Sequence, residues 1–176
     1  MTTPSTSARR YWLGGRRAAN RVVTALLLSG SLILPAVAGT EWPDEGWQVI
    51  PTQQTYHDLL DGLHESVEAE GMIVVTDAGP TEAAASRGET IPGNRVVGVF
   101  RNDFAVRAVR ASVPAMIEAP IRFYVTEEED GTATLSWKTP SHVFAPYVGE
   151  GGEELRKLAE ELDAIFEAIA RRTTEG

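Results

Sequence analysis

The chain has 176 residues, three histidines, no cysteine and a formal net charge of −9. Without cysteine there is no disulfide framework, thiol nucleophile, thiolate metal site, c-type haem attachment or lipid-modified lipoprotein cysteine, so packing alone must hold the fold. The first 38 residues carry five arginines and no acid, which leaves −14 on the rest; such a surface repels phosphate backbones and anionic headgroups and speaks against a nucleic-acid partner.

Arg9, Arg10, Arg16, Arg17 and Arg21 precede an apolar run, Val22 to Leu28 and Leu32 to Leu34, and Pro35 breaks it just before Ala36-Val37-Ala38. A basic start, an apolar segment and a small-x-small site make residues 1–38 read as an export signal peptide. The expectation is cleavage near Ala38 and an extracytoplasmic domain, periplasmic or secreted. The alternative is an N-terminal membrane anchor, because about 17 apolar residues lie at the lower edge of what spans a bilayer; the membrane is a partner only in that case. Arg9-Arg10-Tyr11-Trp12-Leu13 partly resembles a twin-arginine signal, although further arginines intervene before the apolar run.

Residues 39–46 are polar and rich in breakers, a linker by composition, and residues 47–172 form one domain. Trp47-Gln48-Val49-Ile50 reads as a first strand. From Thr55, the spacing of Tyr56, Leu59, Leu60, Leu63 and Val67 predicts a helix with one apolar stripe, capped by Thr55 with Asp58 and ended by Gly71. Met72-Ile73-Val74-Val75 predicts a strand, a short helical or loop piece follows over 81–88, and Arg95 to Phe100 is a further strand. A helix over 103–112 has Asn102 as its predicted N-cap. Ile121 to Val125 and Thr132 to Lys138 alternate on either side of an acidic turn ending in Asp130-Gly131, a hairpin. Leu155, Leu158, Ala159, Leu162, Ile165, Phe166 and Ile169 mark a closing amphipathic helix. The order β-α-β-(α)-β-α-β-β-α predicts a two-layer α+β domain, with helices packed on one face of a mixed, mainly antiparallel twisted sheet.

Gly71-Met72-Ile73-Val74, Val99-Phe100-Arg101-Asn102, Ala119-Pro120-Ile121-Arg122-Phe123-Tyr124-Val125, Asp130-Gly131 and Trp137 through Pro140 occur in the order and spacing of the prokaryotic domain-of-unknown-function family 302, which the whole domain resembles. The chain departs from that family's pattern in having Arg101 for glycine, Asp103 for proline, Ala119 for leucine and Trp137 for tyrosine. Asp77 is followed by Ala78, where many relatives look to carry histidine. The resemblance implies an α+β fold and a homodimer, and it implies no activity.

Three constellations carry chemistry on paper. His57, Asp61 and His64 share one line of the first helix, but that line flanks the apolar stripe and reads as a solvated face, so no metal site is assigned. Ser141-His142 lacks any nucleophile elbow, and no catalytic residue is assigned. The strand-to-helix corner is the better candidate: Arg101 and Asn102 at a helix start suit an anion, with Asp77 expected nearby and Trp137 as a wall. The competing reading has Asn102 as a simple cap, Asp77 paired with Arg101, and Trp137 in the core. The function expected is therefore a non-catalytic module of the cell envelope for a small anionic ligand or a partner protein, with no cofactor. The alternatives are a hydrolase or isomerase using carboxylate and arginine groups, and a purely structural homodimer. N-terminal sequencing of the chain from a cell-envelope fraction should return Gly39 as the first residue; an intact Met1 selects the anchor instead.

Overall fold

The computed structural model describes residues 41–176; the predicted signal peptide and the first two linker residues lie outside them. Five strands, β1 (Trp47–Thr55), β2 (Ile73–Ala78), β3 (Asn94–Phe100), β4 (Ile121–Glu127) and β5 (Thr132–Lys138), form one sheet in the order β1-β5-β4-β3-β2. The helices are α1 (Tyr56–Ala69), α2 (Thr81–Ala85), α3 (Asn102–Ala111), α4 (Pro140–Phe144) and α5 (Val148–Glu175), with short 3₁₀ turns at Pro114–Glu118 and Ala145–Tyr147. The two-layer α+β fold is the predicted one. The sheet is antiparallel at every pairing rather than mixed. The reason lies in the connections: α3 and its following turn bring the chain back to the end of the sheet it left, so that Ile121 pairs with Val99.

β1 is longer than its apolar start suggests and runs through Pro51, with a register shift between Pro51 and Thr55. An edge strand accepts proline because its missing N–H can point away from the ladder. Thr55 ends β1 and caps α1: its hydroxyl oxygen accepts from the Asp58 N–H at 3.2 Å and its O–H donates to the Asp58 carboxylate at 2.7 Å. At the other end Gly71 sits at φ 73°, where the Met72 N–H returns to the Val67 carbonyl at 3.0 Å, the left-handed closure that glycine makes cheap.

Alternation assigns the two faces of the sheet. Ile121, Phe123 and Val125 on β4, Ala133, Leu135 and Trp137 on β5, and Val97 and Val99 on β3 are buried beneath the helices. The predicted stripes of α1 and α5 face them, with Leu59, Leu63, Leu155, Leu158, Phe166 and Ile169 at most 1% exposed. Gly152, at φ 58°, kinks α5 before its apolar stripe begins. The opposite face carries Trp47, Arg122, Tyr124, Thr126 and Lys138. Trp42 lies on that face, its ring 5.4 Å from Trp47 and 6.0 Å from Tyr124 between centroids. The segment read as a featureless linker thus spends its tryptophan on covering the open side of the sheet.

The hairpin turn follows the sequence reading. Gly131 has φ 83°, and an Asp130 carboxylate oxygen accepts from the Thr132 N–H at 3.0 Å and the Thr132 hydroxyl at 2.6 Å, which holds the Asp130 carboxyl below its ordinary range. A β-branched side chain at a left-handed position costs about 1–2 kcal/mol. Gly131→Val should therefore lower the urea midpoint by a corresponding amount, whereas neutralising the solvated Glu128 and Glu129 should leave it unchanged or raised; chemical denaturation of the variants checks the order.

Candidate functional site

The strand-to-helix corner does not assemble as the sequence suggested. In the β2–β3 pairing Ile73 lies opposite Phe100 and Asp77 opposite Val97. Asp77 therefore sits toward the far end of the sheet from Arg101, separated by about 13 Å of strand. Its oxygens face other partners: one lies 3.1 Å from Nε2 of His64 on α1, the other 3.3 Å from the Arg95 guanidinium on β3. The His64 contact has the distance but not the angle of a hydrogen bond, and Nε2 is buried with no other acceptor. Arg95 also reaches Glu82 on α2 and the Tyr56 hydroxyl. The Tyr56 contact is the largest cause of its guanidinium being held above the ordinary range; burial opposes it, and the charges of Asp77 and Glu82 add to it. This cluster ties α1, β2, β3 and α2 together at one edge of the sheet.

Arg101 is itself the N-cap of α3, without a side-chain capping bond, and Asn102 is the first helical residue; the predicted cap is thus shifted by one. The Arg101 guanidinium is spent locally. It donates to both carboxylate oxygens of Asp103 at 2.8 and 3.2 Å and lies 4.3 Å over the Phe104 ring. The adjoining crevice, between Arg101, Phe104, Met116, Phe144 and Leu162, holds about 30 Å³ and is lined mainly by apolar side chains, room on the scale of a water molecule. Trp137 is buried at 3% exposure, 5.6 Å from the Phe123 ring. Of the helical triplet, His57 and Asp61 stay exposed while His64 turns to Asp77. Among the described residues no three His, Asp or Glu side chains gather where they could hold a metal ion. Ser141 and His142 open α4 beneath the Thr139 cap, and the Ser141 N–H donates to Asp163 at 2.9 Å.

A different place brings charge and cavity together. Where β1 and β4 begin and β5 ends, a groove of about 450 Å³ runs onto the open face of the sheet, lined among others by Trp47, Arg122, Tyr124, Trp137 and Lys138. Phe123 pairs with Trp137, so Arg122 and Lys138 are the next residues outward on neighbouring strands. Among the described residues neither makes an ion pair. The Lys138 ammonium lies 5.5 Å from the Trp47 ring centroid. Glu118, also on the groove, accepts from the Tyr147 hydroxyl at 2.7 Å and thereby holds that phenol above its ordinary range. Two like charges on facing strands repel, and a bound anion between them would turn that repulsion into attraction. Sequence reasoning missed this pair because the two residues are sixteen positions apart; the hairpin register, already legible, is the signal that would have found it.

Antiparallel five-stranded order, helices on one face and a ligand-sized groove on the other define a two-layer α+β domain, and comparison gives its family. The family model described as "Domain of unknown function DUF302" matches residues 48–170, and the chain belongs to that family. Among solved structures it is similar to an uncharacterised conserved DUF302 protein from Bacillus stearothermophilus, with a TM-score of 0.64 and 17% sequence identity, covering 73% of this chain and 98% of that one. At that identity the likeness establishes the fold. No functionally curated protein matches the chain. No described helix is long and apolar enough to cross a membrane.

The Arg101 pairing has a measurable pH signature. The Asp103 carboxyl is held below its ordinary range, first by the hydrogen bonds from Arg101. A carboxylate whose folded pKa is depressed stabilises the fold above its unfolded value of about 3.9 and loses that contribution as pH falls through the lower folded value. The difference in urea midpoint between wild type and Arg101→Ala should accordingly be present at neutral pH and shrink below about pH 4, while the NMR titration of Asp103 moves up toward the ordinary carboxylate range. An unmoved Asp103 titration contradicts this pairing.

Proposed function

We propose that this chain is an exported, non-catalytic binding module of the cell envelope, and that its anion site is the open-face groove at Arg122 and Lys138 rather than the corner at Arg101. The observation that carries the reading is the pair itself: two cations without ion partners among the described residues, side by side at a ligand-sized groove, in a chain whose mature part is strongly acidic. An arginine and a lysine on adjacent strands supply a planar fork and a mobile ammonium to one carboxylate or phosphate. Trp47 and Tyr124 add apolar area for whatever the anion is attached to. Export rests on the basic, apolar, small-x-small leader. The hydrolase or isomerase alternative is less well supported, because Asp77 and Arg101 are both engaged by other side chains and the antiparallel pairing of β2 with β3 holds them toward opposite ends of that pair.

Acetate, phosphate and sulfate titrated against the purified chain should raise the melting temperature of wild type and of Arg101→Ala alike, and should leave a double Arg122→Gln, Lys138→Gln variant unmoved. The same double variant without ligand should be equal to wild type in stability or higher by about 0.2–1 kcal/mol, since it relieves a like-charge pair. No stabilisation of wild type by any of the three anions, or equal stabilisation of the double variant, removes the groove from the account.

A further inference from the structure

The groove does not end at the cation pair. It continues past Tyr124 into a second cavity of about 480 Å³, which shares Trp47, Asn94 and Tyr124 with the first and is walled beyond them by Trp42, Ile91 and Pro92. Arg122, Tyr124 and Thr126 alternate with the buried Ile121, Phe123 and Val125, so they stand together on the open face. Cations line only the end at Arg122 and Lys138. The other polar groups are already engaged. Glu118 accepts from the Tyr147 hydroxyl, and Glu127, which has the parity of Phe123 and so belongs to the helix-facing side of β4, accepts the Gly93 N–H at 2.6 Å. Between the two ends the Asn94 amide donates to the Tyr124 hydroxyl, and the Thr126 hydroxyl donates to Glu128 at 3.5 Å.

Resting on the anion site proposed above, we propose that the groove takes a single-chain amphiphile, an aliphatic carboxylate. Its head lies between Arg122 and Lys138, and its hydrocarbon chain runs over Tyr124 toward Trp42. Hydrogen bonding selects the class: a sugar or a peptide brings many donors and acceptors that must be matched as water leaves, and the polar side chains here are engaged with one another. A hydrocarbon needs none. Shape selects a chain over a ring, because Trp42 already fills the place between Trp47 and Tyr124, at 5.4 and 6.0 Å between centroids. A flat aromatic guest would have to displace it, whereas a flexible chain passes alongside. Arg122 and Thr126 are separated by about 13 Å of strand, which a zigzag of C–C bonds of about 1.5 Å covers with about ten carbons. Charge sets the direction, since the cations attract a carboxylate and the acidic turn beyond Thr126 repels it. The acidic chain opposes the approach of a bare anion, and burial of the tail supplies affinity that the head lacks.

The test is isothermal titration calorimetry of the purified chain with acetate, hexanoate, decanoate, dodecanoate and uncharged 1-decanol. Affinity should rise about threefold for each methylene that enters the groove, reach at least a hundredfold over acetate at decanoate, and level off at dodecanoate. The double Arg122→Gln, Lys138→Gln variant should bind decanoate at least tenfold more weakly than wild type, and 1-decanol should bind wild type at least tenfold more weakly than decanoate does. Trp42→Ala, a change in irregular chain outside the core, should weaken decanoate at least fivefold and leave acetate unchanged. If acetate binds in an Arg122- and Lys138-dependent way and decanoate binds no tighter, the amphiphile assignment is overturned and the anion site stands. Affinity that keeps rising beyond decanoate, or decanoate binding that Trp42→Ala leaves unchanged, also overturns the assignment. If decanoate binds the double variant as it binds wild type, or if neither acetate nor decanoate binds, both readings fall together.

Discussion

The stacking of Phe166 on Phe123, 4.5 Å between centroids and 17° from parallel, is the contact on which the arrangement depends. It joins the middle of the central strand β4 to the long helix α5, and both rings are fully buried. Because residues alternate along a strand, fixing Phe123 beneath the helices sends Arg122 and Tyr124 to the other side. A one-residue slip would bury Arg122 in the core and expose Phe123. The core contact therefore determines which side chains the open face offers to a ligand, and the groove is a consequence of packing on the other face of the same sheet.

The fold was legible because periodicity reports burial, and burial is what this chain must achieve without staples. The stripes of α1 and α5 and the alternation of β4 and β5 each occur as written in the sequence. What periodicity cannot report is which strand end meets which. Asp77 and Arg101 each follow an apolar run, and in a parallel pair such positions would be neighbours; antiparallel pairing sends them to opposite ends. The cap of α3 was displaced by one for a related reason. Arginine is a poor N-cap by propensity, but here its guanidinium is held by Asp103 and the Phe104 ring, and tertiary placement rather than the local capping bond sets where the helix begins.

Trp42 illustrates a second limit of local reading. Nothing about Glu41 to Gly46 has a period, yet its tryptophan packs on Trp47 and Tyr124, residues five and eighty-two positions away. Composition marks such a stretch as irregular, which it is, and irregular chain still buries aromatic surface when an uncovered sheet face lies beside it. The small residues Thr134 and Ser136 are buried on that face at 3% and 0% exposure, so the middle of the open side is as shielded from water as the core side at those positions.

The distribution of charge along the β4–β5 hairpin then acquires a physical meaning that neither strand has alone. Arg122 and Lys138 occupy its base, and Glu127 to Asp130 its tip. The acids do not neutralise the cations directly, since most of the length of the hairpin stands between them, more than a Debye length of about 8 Å at physiological salt. Each end thus keeps its own sign. Moving Lys138 toward the tip, or the acids toward the base, would give ordinary surface ion pairs worth little to stability and would erase the polarity. A hairpin that instead keeps its charges apart retains an electrostatic direction along the sheet, and the groove lies at its positive end.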